Sequence, residues 1–530
     1  MPRASTRVDY NKTPRSLGRA SRAGVMWTTA RSYLVELVTL PATVLLAQLL
    51  SPFDFGVAAV AIFFGRLAGR VSNAGMGSAL VRVKVLRDEH VSSIFVLNLV
   101  ICSTAALILL VLARPLATFY REPRIAALIP FVALDFIFSA LSMVPQALLT
   151  RAMRYKEIAT LASADAIAAA AASVLFAWLG FGYWSIVFGP LVGSFLKWAW
   201  GIKLVGLQMS LHFVPSAARE LLSFAFGTYS RGLLEYVSLN IDNLVVGRVL
   251  GVTPLGYYDK AFATTQRAYN KLTLGGPSVS FRALAIMQDD PARFYRAFEK
   301  IVVSATLLTF GVFAVLGAMG PHLIVFVFGE KWSPSIVPFQ LLCVGAALRT
   351  SAAFAGAAAN ARGWIWWNVW LQAAYTVMIA LGIVLAAPWG TNGAAAAVLA
   401  ATAVMSLLMM WLLRSATDIG WQQVLSAHAP GVLLALLLGG LVWSVDRLFV
   451  KMGVTGDLPV LVAQSAVAGL AGIAAIRWTP FPMVATVIGE IVGDVSPRLA
   501  ALLAPGTPIG RSPKAGGVRS AQPTVESETP

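Results

Sequence analysis

The stretch Leu-Leu-Ser-Pro-Phe-Asp-Phe-Gly at 49–56 is answered 200 residues later by Val-Leu-Gly-Val-Thr-Pro-Leu-Gly at 249–256. Each closes one long apolar run and opens the next. At this shift Arg31, Leu34, Leu50 and Gly56 fall on Arg231, Leu234, Leu250 and Gly256 without a gap. A second register, shifted by 208, lays Glu122, Pro130, Phe131 and Leu134 on Glu330, Pro338, Phe339 and Leu342. The chain therefore reads as a duplication whose unit holds six apolar runs. Six is even, so both copies insert with one orientation. Their pseudo-twofold axis runs along the membrane normal, and a binding site belongs between the two lobes.

Composition sets the solvent. Of 530 residues 58% are hydrophobic and 12% charged, with a mean hydropathy of +0.74. Soluble domains carry about 25% charged residues, so a soluble enzyme, a nucleic-acid module and a secreted scaffold are all excluded. A spanning helix needs about 20 mostly apolar residues. Fourteen stretches qualify: 25–49, 54–80, 91–113, 125–149, 158–180, 183–206, 219–246, 255–280, 301–320, 336–359, 365–387, 393–413, 430–449 and 458–477. The expected fold is an all-α polytopic membrane protein with about 14 transmembrane helices. It divides into a basic tail (1–24), an N-terminal six-helix lobe (25–206), a C-terminal six-helix lobe (219–413), two additional helices (430–477) and a tail (478–530), disordered from about 503. Cys102 and Cys343 lie inside apolar runs and read as core residues. The basic N-terminal run is followed by no small-residue cleavage site and does not read as a signal peptide.

Lys and Arg fall unevenly on alternate connections: twenty-five lie on the side of the N-terminus and seven on the other. By the positive-inside rule both termini are expected to be cytoplasmic, and the number of spans is even. Nine basic residues remain inside the spans, against six acids (Glu36, Asp135, Asp165, Glu235, Asp242 and Asp259). Each basic residue costs about 2.5–3.5 kcal/mol at a helix centre, so most face water or a partner. The interior is net positive, and anions suit it.

The polar residues fall on stripes. Positions i, i+4, i+7 and i+11 share a helix face. Helix 8 carries Lys260, Thr264, Arg267 and Lys271 on one such face, and helix 2 carries Arg66, Arg70 and Asn73. Helix 7 aligns Arg231, Glu235, Ser238 and Asp242; helix 1 aligns Thr28, Ser32, Glu36, Thr39 and Thr43. These four helices correspond pairwise under the repeat and would line a wet cleft. Arg31, Arg66, Arg70, Arg231, Lys260, Arg267, Lys271 and Asn73 are the candidate substrate-binding residues. Glu36, Glu235 and Asp242 are the candidates for coupling transport to an ion gradient. Bland readings stand beside these. Arg231 and Glu235, four apart, also suit a simple helix pair, and Arg31 lies within snorkelling reach of headgroups. Lys197 and Arg349 lie off the stripes and read as snorkelling or structurally paired. Asp135 and Asp165 read as helix-packing groups satisfied by hydroxyls.

No catalytic constellation, cofactor motif, ATPase-type glycine loop or metal-ligand spacing stands out, so an enzyme is not expected. Asp289-Asp290-Pro291 reads as a helix start. Trp364, Trp366, Trp367 and Trp370 read as an interfacial belt.

The run Asp242-Asn-Leu-Val-Val-Gly-Arg-Val-Leu-Gly251, followed by Leu255-Gly256-Tyr257-Tyr258, resembles the seventh-helix signature of bacterial polysaccharide exporters. Phe328-Gly329-Glu330-Lys331-Trp332, followed by Val337-Pro338-Phe339, resembles their ninth-to-tenth connection. Residues 1–413 follow that pattern in order. The chain thus resembles the Wzx-type oligosaccharide flippases of the multidrug/oligosaccharidyl-lipid/polysaccharide exporter superfamily, in the colanic-acid-exporter-like branch. The resemblance implies two six-helix lobes in a V, alternating access, and movement of an undecaprenyl-diphosphate-linked oligosaccharide to the periplasmic leaflet for exopolysaccharide or lipopolysaccharide assembly. Its partners would be that lipid, the membrane, and a polysaccharide polymerase and export machinery, with the chain itself a monomer. A lipid II flippase shares fourteen helices and a basic cleft. A multidrug exporter would need an acidic one. A membrane-bound glycan polymerase or ligase usually carries a large periplasmic loop, which is absent here.

Overall fold

A computed structural model describes residues 17–72, 76–83, 86–205, 212–215, 236–417, 419–453 and 456–477. Asn73, Arg231, Glu235, most of the basic tail and the whole of 478–530 lie outside the described residues. The described chain is helical throughout. In order the helices are α1 (Leu17–Leu49), α2 (Pro52–Ser72), α3 (Met76–Arg82), α4 (Asp88–Tyr120), α5 (Arg124–Leu141), α6 (Met143–Arg151), α7 (Tyr155–Trp178) and α8 (Trp184–Val205). Then come α9 (236–249), α10 (Val252–Leu272), α11 (Gly276–Ile286), α12 (Pro291–Phe328), a 3-10 turn (Glu330–Ser335), α13 (Ile336–Ala361), α14 (Ile365–Ala386), α15 (Gly390–Ala416), α16 (Trp421–Lys451) and α17 (Asp457–Arg477).

Eleven stretches of the described residues are long and apolar enough to cross a membrane. One of them, Ile365–Ala416, contains two helices, α14 and α15. Outside that set fall α9, described only over 236–249, and the polar α10, so the described residues hold twelve apolar spanning helices. Their apolar side chains remain outside while backbone groups bond within each helix, as a bilayer requires.

Two spans expected as continuous are broken: the fourth at Ser142 and the eighth between Leu272 and Gly276. Proline explains both breaks. Pro145 cannot donate to the carbonyl of Leu141, and Pro277 cannot donate to that of Thr273, so neither helix propagates. Gly275 supplies the left-handed turn (φ 68°) that the eighth span needs there. The helix starts respect the repeat: α2 and α3 begin at 52 and 76, α10 and α11 at 252 and 276.

The chain beyond the half-helices α3 and α11 is tied down by arginine. Arg151 Nη1 donates to the carbonyls of Leu80 (3.1 Å), Val81 (3.2 Å) and Val83 beyond α3. Arg362 Nε donates to Ala416 O (3.1 Å) and its Nη1 to Gln288 O beyond α11. Each guanidinium satisfies carbonyls that a helix end leaves orphaned. Asp290 does start a helix, as expected: its Oδ1 accepts from Arg293 N (3.0 Å) at the head of α12. Helices α16 and α17 lie against α12, pinned where His322 meets Asp446 (2.7 Å) and Asp457 (2.8 Å).

Candidate functional site

Two faces oppose each other where the halves of the duplication meet. On one, α1 faces α10. Lys271 Nζ stands 3.4 Å from Glu36 Oε2, and Arg267 Nη2 donates to Thr43 Oγ1 at 3.2 Å. Glu36 and Thr43 are seven apart and Lys271 and Arg267 four apart, so two same-face pairs meet in antiparallel order. Tyr33 lies 6.0 Å from Lys271. The Lys271 side chain keeps 49% of its surface exposed. An ion pair this wet is worth at most about 1 kcal/mol and is readily given up to a better ligand.

On the other face α2 meets α9. The Arg70 guanidinium lies 5.4 Å over the Tyr236 ring. Tyr236 stacks on Phe63 (5.7 Å) and its hydroxyl donates to Phe63 O (3.3 Å). Arg66, one turn before Arg70 on α2, is exposed. Its charge acts on Tyr236, on Asp135 and on Asp259. Tyr236 occupies the repeat position of Glu36. Helical stripes pick out charged residues, so both tyrosines escape that reading. The 200-residue shift is the signal that finds Tyr236.

The structure thus brings Arg66, Arg70, Arg267 and Lys271 to the junction of the two halves, with Glu36 among them. Lys260 sits elsewhere. It is 4% exposed, and its Nζ lies 3.7 Å from the Phe55 ring centroid, 4.9 Å from Trp332 and 5.0 Å from Phe328. This aromatic cage replaces water with ring quadrupoles. Trp332 Nε1 in turn donates to Ala47 O (2.9 Å), and Lys331 Nζ to Gln48 O (2.6 Å). The 3-10 turn therefore plugs one end of the junction. Asp242 is also withdrawn. At 3% exposure, it accepts from Tyr258 Oη (2.8 Å) and Asn243 N (2.8 Å).

The off-stripe cations are paired, as expected. Lys197 lies 3.4 Å from Asp165, which accordingly rests on a cation rather than a hydroxyl. Arg349 donates to Gln266 Oε1 (2.8 Å) and stacks on Tyr269 (4.3 Å). Arg31 is half-buried on α1. Trp366, Trp367 and Trp370 are exposed on α14, where a bilayer interface would meet them.

Residues 45–337, more than half the chain, match the polysaccharide biosynthesis protein family. The chain belongs to that family. The matched span runs from the end of α1 through the plug, and so contains the four junction cations and the Lys260 cage. Relatives in the polysaccharide biosynthesis family include the Escherichia coli lipopolysaccharide biosynthesis protein WzxC, 23% identical over 63% of this chain and 68% of its own length. The succinoglycan biosynthesis transport protein ExoT of Rhizobium meliloti is 29% identical over 60% of this chain and 63% of its own length. In fold the chain is similar to the lipid II flippase MurJ in an inward closed conformation, with a TM-score of 0.66 at 13% identity, covering 85% of this chain and 97% of that one. An inward-facing multidrug MATE transporter follows at 0.56, covering 74% and 95%. This family member is a multi-pass membrane protein of transporter architecture and not an enzyme.

Proposed function

We propose that this chain flips an undecaprenyl-diphosphate-linked oligosaccharide from the cytoplasmic to the periplasmic leaflet of the bacterial inner membrane, with both termini cytoplasmic. The observation that carries the reading is the set Arg66, Arg70, Arg267 and Lys271, gathered where the duplicated halves meet. A neutral threonine answers Arg267, a tyrosine ring answers Arg70, and Lys271, itself half-exposed, meets only one glutamate. Cations so lightly committed suit a diphosphate, whose oxygens accept arginine's paired donors. The lipid tail stays in the bilayer while the head and sugars pass the polar junction. The polysaccharide names of WzxC and ExoT support a glycan cargo. Access alternates between two lobes, 25–206 and 219–413, with the plug holding the periplasmic end closed here. A polysaccharide polymerase and export machinery would receive the cargo.

The MurJ fold supports a second reading, transport of a peptidoglycan precursor, because lipid II shares the same diphosphate. One assay decides between them. The purified protein in proteoliposomes is offered fluorescent undecaprenyl-diphosphate oligosaccharide, lipid II, or the same tail on a monophosphate. The proposal expects flipping of the first well above the other two. Equal flipping of the monophosphate would overturn the diphosphate cleft, and preference for lipid II would transfer the function to peptidoglycan.

A further inference from the structure

Inside the N-terminal half, away from the junction face, α5, α7 and α8 enclose a second polar cluster. Asp165 of α7 pairs with Lys197 of α8 at 3.4 Å. Asp135 of α5 faces the same space, within reach of Asp165, Lys197 and Ser194. Its Oδ1 is buried and has no hydrogen-bond partner, as has Trp198 Nε1 on α8. Gly193 makes the enclosure possible: a Cβ there would stand 2.6 Å from Asp165 Oδ1. Asp165 lies at least ten residues from either end of α7, about 15 Å, while Asp135 and Lys197 lie six and eight residues before the ends of α5 and α8, about 9–12 Å.

Arg66 connects this cluster to the cleft. Two contacts fix the register of α2 on α5: a Cβ at Gly65 would collide with Val132 Cγ1, and one at Gly69 would lie 3.5 Å from Phe136. Arg66 and Asp135 therefore occupy the same level on adjoining parallel helices, and the arginine's charge reaches the carboxyl. Ser194 hydrogen-bonds the Asp135 carboxyl and Lys197 is already paired with Asp165, so Arg66 is the further cation whose charge bears on Asp135. The other groups facing α5 do not replace it. Arg70 lies over Tyr236, Asn98 and Cys102 of α4 are neutral and bonded to each other (3.5 Å), and Arg151 of α6 holds the carbonyls beyond α3.

We propose that Asp135 is a proton-binding site coupled to the substrate through Arg66. When a diphosphate draws Arg66 to itself, Asp135 loses its counter-charge and takes up a proton, which its orphaned oxygen can carry. When the diphosphate leaves, Arg66 returns and the proton is released. A buried carboxylate left with the Ser194 hydroxyl and a lysine already paired to Asp165 favours protonation. Substrate and proton are thus bound together, at a residue distinct from Glu36 and Asp242. The inference rests on the diphosphate reading of the cleft.

The test uses the full-length protein in detergent and undecaprenyl diphosphate as probe. Binding is followed by radiolabel retention, and proton uptake by an indicator dye in weak buffer. The wild type should take up about one proton per probe bound. Its Kd should rise about tenfold per pH unit over a range where the probe's own charge is constant, since one bound proton gives unit slope. Asp135→Asn should bind the probe with no uptake and a flat profile. Glu157→Gln, at the half-buried Arg154 pair remote from this cluster, should behave as wild type. Arg66-dependent binding with no wild-type uptake, or with uptake retained in Asp135→Asn, would overturn the proton site and leave the cleft standing. Probe binding indifferent to Arg66→Ala would overturn both. The wild-type slope decides the matter even where Asp135→Asn does not fold.

Discussion

Gly56 and Gly256 pack against one another's helices in the same way. A Cβ on Gly56 would collide with the carbonyl of Val252, and one on Gly256 with the carbonyl of Pro52; each would also stand 3.2 Å from the other glycine's nitrogen. Pro52 and Val252 are themselves 200 residues apart. The contact is therefore exchanged by the repeat, and the pseudo-twofold axis passes between these two glycines. Alanine at either position should destabilise. Its helical gain over glycine is at most about 1 kcal/mol, while overpacking costs about 1–3 kcal/mol. Thermal unfolding of the purified protein should shift down for Gly56→Ala and Gly256→Ala. Gly440→Ala, which meets nothing within 4 Å, should hold or rise. Equal behaviour of all three would refute the tight crossing.

The junction cations predict opposite signs for neighbouring substitutions. Arg66→Ala or Arg267→Ala removes a charge-assisted contact of about 1.5–3 kcal/mol, so undecaprenyl diphosphate should bind about ten- to a hundredfold more weakly. Lysine should rescue only part, lacking the bidentate fork. Glu36→Gln frees Lys271 from its wet pair, worth about 0.2–1 kcal/mol. Binding should then tighten by up to about fivefold. Arg349→Ala, already held by Gln266 and Tyr269, should do less than either arginine. A uniform loss across all these variants would mean general disruption instead of a site.

The spans were legible because a bilayer demands long uninterrupted apolarity, which survives averaging over a window. The breaks within them were not. Pro145 and Pro277 each act through a single missing N–H, and hydropathy smooths over a single residue. Helical spacing likewise found the face of α10 that carries Lys260, Arg267 and Lys271, but not what each residue meets. Two turns separate an open junction from an aromatic cage, because Phe55 and Trp332 arrive from remote parts of the chain. Asp242 shared a stripe with Ser238, yet its fate is set by Tyr258 on the next helix.

Sidedness has its own test. Reporter fusions at residue 455, between α16 and α17, and after residue 520 should report periplasm and cytoplasm respectively, as the Lys and Arg bias requires. A periplasmic C-terminus would break the even count of spans.

The plug predicts a gating phenotype. Trp332 is fully buried, its indole N–H donates to Ala47 O, and its ring meets Phe55 and Tyr257 edge-on at 5.2 and 6.1 Å. Ala47 itself is buried beneath it. Cys102 and Cys343 are also fully buried, so a cysteine introduced at Ala47 would be read against a low background. Trp332→Phe keeps an aromatic wall for Lys260 and loses one hydrogen bond, about 1 kcal/mol. Labelling of Ala47→Cys by a membrane-impermeant maleimide should then quicken about fivefold. Trp332→Ala also empties a large buried volume, about 3–5 kcal/mol, and should expose the cysteine far more. Trp389→Phe, at a residue 71% exposed, should leave the rate unchanged. If Trp332→Ala labels no faster than wild type, the Glu330–Ser335 turn does not hold this end shut, and the barrier lies in the Gly56–Gly256 crossing alone.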